Sequence, residues 1–137
     1  MDVFDKEKRS RVMSKIKDKN TKPEVLVRSV LHRMGYRFRL HGKDLPGKPD
    51  IILPKYKKVI FVHGCFWHGH EGCDKSKRPS ANREFWDKKL DKNINRDQKN
   101  IAELNKYGWE TLIIWTCETK DIQTLKQKLT TFLESRE

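Results

Sequence analysis

The sequence predicts an α/β domain in which a central β-sheet is flanked by helices. Short apolar runs bounded by turn residues are typical of buried strands. Between and beside them, apolar residues recur at helical spacing. The two patterns are interspersed along the chain, which favours one layered domain. A chain of 137 residues has room for one hydrophobic core.

The first predicted helix begins at Thr21. A proline and then Glu24 occupy its first turn, where the fixed proline φ and a negative charge both favour a helix start. Apolar side chains then recur at helical spacing, and Gly35 is a suitable stop. Residues 36–40 alternate apolar and basic side chains, which predicts a half-buried strand.

Two further strands follow closely, at residues 49–53 and 58–62, with turns at 41–48 and 54–57. Asp50 stands at the start of the first of these strands, and His63 directly follows the second. The two strands are therefore a candidate cradle for a metal ion. An acidic residue flanking a strand is usually only solvated, so the pairing with a histidine-rich strand end carries the prediction.

A long helix is predicted from about residue 82 to 107, ending at Gly108. Asp97 lies on its apolar stripe, where an ionised carboxylate is costly unless it has a partner. That partner is a histidine or a metal ion, or alternatively Arg96 or the backbone. A last strand at 109–115 and an amphipathic helix containing Ile122, Leu125, Leu129 and Phe132 complete the chain.

The chain is strongly basic, with 31 Lys and Arg against 19 Asp and Glu and a net charge of +12. Such an excess favours a polyanionic partner, either nucleic acid or an anionic membrane surface, although it could also serve solubility alone. Residues 1–20 form a basic N-terminal arm. The arm is either a frayed terminus or a segment that orders on a phosphate backbone, with Met13 and Ile16 as minor-groove wedges.

No apolar run in the sequence predicts a signal peptide or a membrane span. The three cysteines are an odd number, which argues against a secreted disulfide scaffold. We therefore expect a cytoplasmic protein whose cysteines are metal ligands.

Residues 61–73 hold three of the five histidines and two of the three cysteines. Cys65, His70 and Cys73 are close enough to form one metal-binding loop, and Cys117 supplies a remote fourth ligand. Three thiolates and one imidazole make a closed tetrahedral zinc site, which is structural because it leaves no position open for water. The sequence thus predicts a structural Zn²⁺.

The remaining titratable residues suit phosphodiester hydrolysis. That reaction needs a hard cation, a base for the attacking water and a donor for the leaving oxygen. Asp50 suits Mg²⁺, and a carboxylate from Asp97 would make His68 a tuned base. His63 could stabilise developing charge or protonate the leaving group. Glu24 could contribute, although a helix-capping carboxylate is its simpler interpretation.

The aromatic residues Phe66, Trp67 and Trp86 lie near basic residues. Such side chains usually belong to a core, and Trp86 fits the helical stripe. Adjacent Phe66 and Trp67 in a glycine-flanked loop cannot easily both face inward, so they are candidates for stacking on bases. The following loop carries Lys75, Lys77 and Arg78 as candidate DNA contacts.

Six segments together give a close resemblance to the very short patch repair endonucleases of bacteria, which act on T:G mismatches. They are LPGKPD (45–50), FVHGCFWH (61–68), NREFW (82–86), NINRD (93–97), GW (108–109) and WTC (115–117). The resemblance covers nearly the whole chain, and the central segment is highly specific. It implies a restriction-endonuclease-like core with a mixed β-sheet over residues 21–137, and a nick made 5′ to the mispaired thymine.

The resemblance also implies roles for individual residues. Asp50 and the main-chain carbonyl of Val62 would hold Mg²⁺, His68 with Asp97 would be the general base, and His63 and Glu24 would support them. The remaining implied groups are the zinc ligands Cys65, His70, Cys73 and Cys117, the aromatic wedge Phe66, Trp67 and Trp86, and the clamping N-terminal arm. The implied partner is double-stranded DNA, with mismatch-repair proteins as further candidates, and we expect a monomer.

Two departures from the family pattern concern the metal sites. Val62 replaces a frequent threonine, with little expected effect because only its carbonyl is needed. Glu71 and Gly72 place one extra residue between His70 and Cys73, so Glu71 or His68 is the substitute ligand if Cys73 does not bind.

Two other functions remain compatible with the residues. A zinc-stabilised DNA-binding module without catalysis would not need Asp50 or Asp97. A hydrolase with a catalytic zinc would leave Cys73 or Cys117 free and would not need Mg²⁺.

Overall fold

A computed structural model of the protein describes residues 21–134, so Met13 and Ile16 lie outside the described residues. The helices are α1 (Lys22–Arg33), α2 (Arg83–Lys106) and α3 (Ile122–Glu134). The strands are β1 (Arg39–Leu40), β2 (Ile51–Leu53), β3 (Lys58–His63) and β4 (Glu110–Trp115). Short 3₁₀ turns lie at Pro54–Tyr56, Asp74–Ser76 and Thr116–Lys120.

The strands form one mixed sheet in the order β1-β2-β3-β4. The first two pairings are antiparallel, and β3 pairs with β4 in parallel from Lys58 opposite Glu110 to His63 opposite Trp115. A parallel connection needs a long crossover, which α2 supplies. The α/β fold with a central mixed sheet is therefore confirmed.

The sheet is buried on both faces. Ile60 packs into a core with residues of α1 and α3, whereas Val59 and Phe61 pack on the opposite face with Leu104 of α2. Burial on both faces explains why β3 reads as a continuous apolar run rather than an alternating one. The three-layer arrangement also fixes both ends of β3, where the candidate site begins.

Two elements differ from the sequence prediction. Only Arg39 and Leu40 of the predicted strand 36–40 pair with β2. Tyr36 and Phe38 are partly buried against the α1–α3 core, so packing rather than pairing explains their alternation. Ile122 is exposed at the start of α3, and the buried side of that helix runs through Leu125, Leu129 and Leu133.

Within residues 21–134, none of the helices has both the length and the apolar character that crossing a membrane requires.

Truncating Ile60 to alanine should destabilise the protein by about 2–5 kcal/mol, because it removes fully buried methyl groups from the central strand and leaves a cavity. Urea unfolding monitored by circular dichroism measures the change. Val25→Ala is the matched control, since its side chain is 48% exposed, and it should change stability by no more than about 0.5 kcal/mol. Equal effects of the two substitutions would contradict the described core.

Candidate active site and metal centre

The candidate site lies at the sheet edge where β3 and β4 both end. After His63 the chain turns back through a tight loop, in which the amides of His68 and His70 donate to the carbonyls of Gly64 and Cys65. Asn93 of α2 holds this loop by donating from Nδ2 to the carbonyl of Trp67 at 3.1 Å. The loop therefore lies between the sheet edge and α2.

Cys65, His70, Cys73 and Cys117 converge behind this loop. One ligand atom from each lies within 4.8 Å of the others, and Cys117 Sγ is 3.4 Å from His70 Nδ1. All three cysteines are free thiols. Cys117 reaches the cluster because it follows the end of β4, which runs parallel to β3. The geometry suits a metal ion bound by soft and borderline ligands.

The extra residue between His70 and Cys73 does not remove Cys73 from this cluster. Gly72 adopts a positive φ of 77°, which turns the chain where residues with a Cβ would be strained. Neither Glu71 nor His68, the substitutes considered from the sequence, belongs to this four-residue group among the described residues.

The thiols of this cluster have unequal proton affinities. Burial raises the pKa of Cys65, but hydrogen bonds from Thr116, from the Cys117 backbone and from His70 outweigh it and bring the pKa to about 6. Burial and the neighbouring Cys65 raise the pKa of Cys117 to about 11. A bound cation would favour the thiolate at every position.

A second cluster contains His63, His68 and Asp97. Asp97 of α2 accepts a hydrogen bond from His68, with 2.6 Å between Oδ2 and Nδ1. Arg96, the alternative partner for Asp97, instead donates to Asn93 Oδ1 at 3.2 Å. The His63 and His68 rings stack in parallel, with 3.8 Å between centroids.

His63 is buried at the bottom of the pocket that this cluster lines, with 4% of its surface exposed. Burial, together with the nearby charge of His68, lowers the pKa of His63 to about 4, so its ring is neutral near pH 7. Its Nδ1 atom has no hydrogen-bond partner among the described residues. A buried polar atom without a partner is costly, and here it is a point where a bound group could be accommodated.

Trp115 connects the two clusters. Its ring stacks on His70 at 4.3 Å and meets His63 edge-on at 5.4 Å. One aromatic side chain at the end of β4 therefore lies between the metal-ligand cluster and the histidine cluster.

Asp50 lies beside these histidines, where its Oδ2 accepts a hydrogen bond from the Val62 amide at 2.7 Å. Burial raises the pKa of Asp50 to about 7, and the negative charge of the nearby Glu24 adds to this rise. The hydrogen bond from the Val62 amide lowers the pKa but does not cancel the rise. Glu24 is itself 3% exposed. The half-buried Asp50 and the buried Glu24 are neighbouring hard oxygen donors, and a divalent cation would offset their repulsion.

Three residues that contact the site were not singled out from the sequence. Arg28 and His41 lie beside Glu24, and Phe85 joins the aromatic group. Arg28 follows Glu24 by four residues on one helix, and this i, i+4 spacing of opposite charges could have been recognised from the sequence. Phe85 lies next to Trp86 and off the apolar stripe, which is also a signal. Nothing in the sequence connects His41 to Glu24.

The aromatic group lies on the outer side of the loop, against the start of α2. Phe66 and Trp67 each pack against Trp86, with centroids 5.4 and 6.0 Å apart. Trp67 is 48% exposed and Phe85 is 58% exposed, whereas Phe66 and Trp86 are partly buried. The four rings form a ridge that is supported from within and accessible from outside.

The three basic residues of the following loop differ in their contacts. Arg78 is bound by two carboxylates of α2, Asp87 at 2.7 Å and Asp91 at 2.8 Å. Lys75 and Lys77 are exposed. Arg78 therefore fastens the loop to α2, and the lysines carry the exposed charge.

The comparisons with known proteins identify the family. The family model for DNA mismatch endonuclease Vsr matches residues 1–75. The chain is 46% identical over 133 residues to the type II nicking enzyme V.XorIIP of Xanthomonas oryzae, covering 97% of each chain. It is 40% identical over 130 residues to the DNA mismatch endonuclease Vsr of Escherichia coli, covering 95% of this chain and 83% of that protein.

The chain belongs to the Vsr family. Its fold is similar to the catalytic domain of the homing endonuclease I-Bth0305I, with a TM-score of 0.58 and 26% identity over 82% of this chain and 94% of that one. The predicted restriction-endonuclease-like core is therefore confirmed, and this Vsr-family chain is a DNA-nicking repair endonuclease.

Gly69→Ala should destabilise the protein by about 0.5–1.5 kcal/mol more than Gly72→Ala does, because the Ile94 side chain would have to leave its preferred rotamer. Both glycines have positive φ and pay a similar backbone cost on substitution. A Cβ at Gly69 would lie 2.5 Å from Ile94 Cδ1, whereas nothing lies within 4 Å of one at Gly72.

Urea unfolding of both variants at matched metal content measures this difference. A cost at Gly72 equal to or above that at Gly69 would contradict the described packing of the loop on α2.

Proposed function

We propose that this chain hydrolyses one phosphodiester bond of double-stranded DNA 5′ to the mispaired thymine of a T:G mismatch, in a Mg²⁺-dependent reaction. The observation that carries the proposal is the 2.6 Å contact between His68 Nδ1 and Asp97 Oδ2 beside Asp50. Family membership supports the reaction class.

His68 is the proposed general base. The Asp97 carboxylate accepts from Nδ1, which directs the basic lone pair to Nε2 and stabilises the ring once it is protonated. Nε2 can then remove the proton of the water that attacks phosphorus. The stacked His63 ring restricts rotation of His68.

Asp50 and the main-chain carbonyl of Val62 are the proposed Mg²⁺ ligands. The donor set fits, because Mg²⁺ prefers oxygen ligands and Asp50 is bonded to the backbone at the same strand end. Bound Mg²⁺ would supply positive charge that offsets the negative charge developing on the phosphate.

His63 and Glu24 are proposed supporting groups. His63 is a neutral ring at the base of the pocket, so it can donate a hydrogen bond toward the phosphate or the leaving oxygen. Glu24 places a second carboxylate next to Asp50 and increases the attraction for a cation.

Phe66, Trp67 and Trp86 are proposed to contact the bases beside the mismatch, because an accessible aromatic ridge can stack on or wedge between them. Lys75 and Lys77 are proposed to contact DNA phosphates. Arg78 is proposed to do so as well, while it remains paired with Asp87 and Asp91. The predicted arm, residues 1–20 with Met13 and Ile16, would hold the other side of the duplex, and 21–137 would be the nuclease domain.

A structural Zn²⁺ is proposed for the cluster of Cys65, His70, Cys73 and Cys117, since three thiols and one imidazole match its preferred ligands.

We further propose that the chain acts as a monomer in the bacterial cytoplasm and cooperates with mismatch-repair proteins. The two rival functions, a non-catalytic DNA-binding module and a catalytic-zinc hydrolase, are outcomes of the tests below.

A duplex with one T:G mismatch should be nicked on the thymine strand, and the matched T:A duplex should not. Removing Mg²⁺ should abolish the nick, and Asp50→Ala should reduce the single-turnover rate by at least about 10³-fold, because the proposed cation loses its carboxylate. Denaturing gel electrophoresis of end-labelled strands measures both.

Asp44→Asn is the matched control, because it removes an exposed acid from the preceding loop, and it should nick at the parental rate. Tight mismatch binding without any nick would favour the DNA-binding module. Nicking that survives Mg²⁺ removal but not zinc removal would favour the catalytic-zinc hydrolase.

The purified chain should contain one zinc ion. Cys117→Ser should weaken zinc binding, because it removes the thiolate that would join the loop to the end of β4. Elemental analysis and thermal unfolding before and after chelation measure zinc content and the accompanying fall in Tm. Glu71→Gln should keep both unchanged, since Glu71 lies outside the four-residue cluster. Full zinc occupancy in Cys117→Ser would rule out this ligand set.

A further inference from the structure

Glu24 has an unusual environment for a carboxylate. It lies in the first turn of α1 but is only 3% exposed, and it is close enough to Asp50 for its negative charge to raise the pKa of that carboxyl group. The N-cap residue Thr21 makes no side-chain cap. A carboxylate that only favoured the helix dipole would not need burial beside a second acid.

Arg28 lies against this carboxylate. Its Nη2 atom is 3.2 Å from Glu24 Oε2, on the same helix and one turn later. Arg28 is 16% exposed, so this contact is far more shielded than an ordinary ion pair on a helix surface. The guanidinium therefore fixes one oxygen of Glu24 and balances its charge.

His41 contacts the other side of Arg28. Its Nε2 atom is 3.3 Å from Arg28 Nη2 and 3.7 Å from Glu24 Oε2. A guanidinium only donates hydrogen bonds, so His41 Nε2 is the acceptor in its contact with Arg28. Arg28 thus lies between a carboxylate and an imidazole, which leaves its Nη2 little freedom to move.

The backbone of His41 supports a constrained role. Its φ is +52°, in the left-handed region that non-glycine residues seldom adopt. Its amide donates to the carbonyl of Asp50 at 3.1 Å, and the next amide donates to Pro49. The same residue therefore contacts Asp50 through its backbone and Arg28 through its ring. Such strained residues persist where surrounding contacts hold them, often at functional sites.

We propose that Arg28, held by His41, is a positioning residue that orients the Glu24 carboxylate toward Asp50 and thereby completes the cation-binding carboxylate pair. This inference rests on the proposed function. Neither Arg28 nor His41 needs to touch DNA or the metal ion. Their effect passes through Glu24, which makes the proposal separable from a direct role in binding.

A double-mutant cycle tests whether Arg28 acts through Glu24. Glu24→Gln and Arg28→Met should each lower the single-turnover nicking rate about 10–100-fold at saturating protein, the range typical of residues that orient metal ligands. The double variant should be no slower than Glu24→Gln alone, since the residue through which Arg28 acts is already altered. Rate losses that multiply would overturn the proposal.

Metal binding gives a readout separate from activity. Titration of the zinc-loaded protein with Mn²⁺ alone, followed by electron paramagnetic resonance, should show about 10-fold or more weaker binding in both Glu24→Gln and Arg28→Met. Arg28→Lys should recover part of the affinity. Arg33→Met removes an exposed charge from the same helix and should bind Mn²⁺ like the parent. Unchanged affinity in Arg28→Met would overturn the proposal.

His41→Asn keeps the proposal testable if Arg28→Met fails to fold. Asparagine tolerates the left-handed backbone but lacks the ring that contacts Arg28. It should lower the nicking rate and Mn²⁺ affinity in the same proportion, with the Kd for T:G duplex unchanged. A higher Kd for the duplex, with a nicking rate that saturating protein fully restores, would instead indicate that Arg28 and His41 contact DNA. That result would contradict the positioning role.

Asp50→Ala distinguishes failure of this inference from failure of the proposed function. If Asp50→Ala abolishes nicking while Arg28→Met nicks and binds Mn²⁺ like the parent, only the positioning role falls. If Asp50→Ala nicks normally, the proposed catalytic site itself is wrong.

Discussion

Parallel pairing of β3 with β4 over six residue pairs makes both strands leave the sheet at the same edge. The loop after β3 carries His68 and the first three residues of the possible metal cluster, and the turn after β4 carries the fourth, Cys117. Without that pairing, residues 52 positions apart in the chain, such as Cys65 and Cys117, would have no reason to meet. The buried apolar faces of β3 hold the pairing in place, so the core that stabilises the fold also assembles the site.

The two clusters at this edge are mechanically linked. Trp115 contacts a ring from each, and the loop between them packs on α2 so closely that a Cβ at Gly69 would require the Ile94 side chain to move. Metal binding behind the loop should therefore stabilise the position of His68 in front of it. A closed thiolate site, as proposed here, would organise the nuclease without performing the hydrolysis, which the proposed mechanism assigns to oxygen and imidazole groups.

Charge is distributed unevenly over this basic chain. The buried Glu24 and the half-buried Asp50 lie together at the proposed cation site, where Arg28 balances the charge of Glu24 and Asp50 is the proposed cation ligand. Arg78 is held by two acids of α2 and anchors the loop, whereas the exposed Lys75 and Lys77 are the residues proposed to attract DNA. A buried charge is costly unless it is paired, so each internal pairing indicates where the fold uses charge for positioning rather than for association.

The sequence by itself determined the α/β class, the long helix and the central strand β3, because strand and helix periodicities are local, and the motif of residues 61–68 is specific enough to indicate the family. It also indicated that Asp97, on an apolar helical stripe, needs a partner. Only the tertiary structure decided that this partner is His68 rather than Arg96, that Cys73 stays with the metal-ligand cluster, and that His41 reaches Arg28. Those outcomes depend on distances between elements remote in the chain, which packing sets and local patterns do not encode.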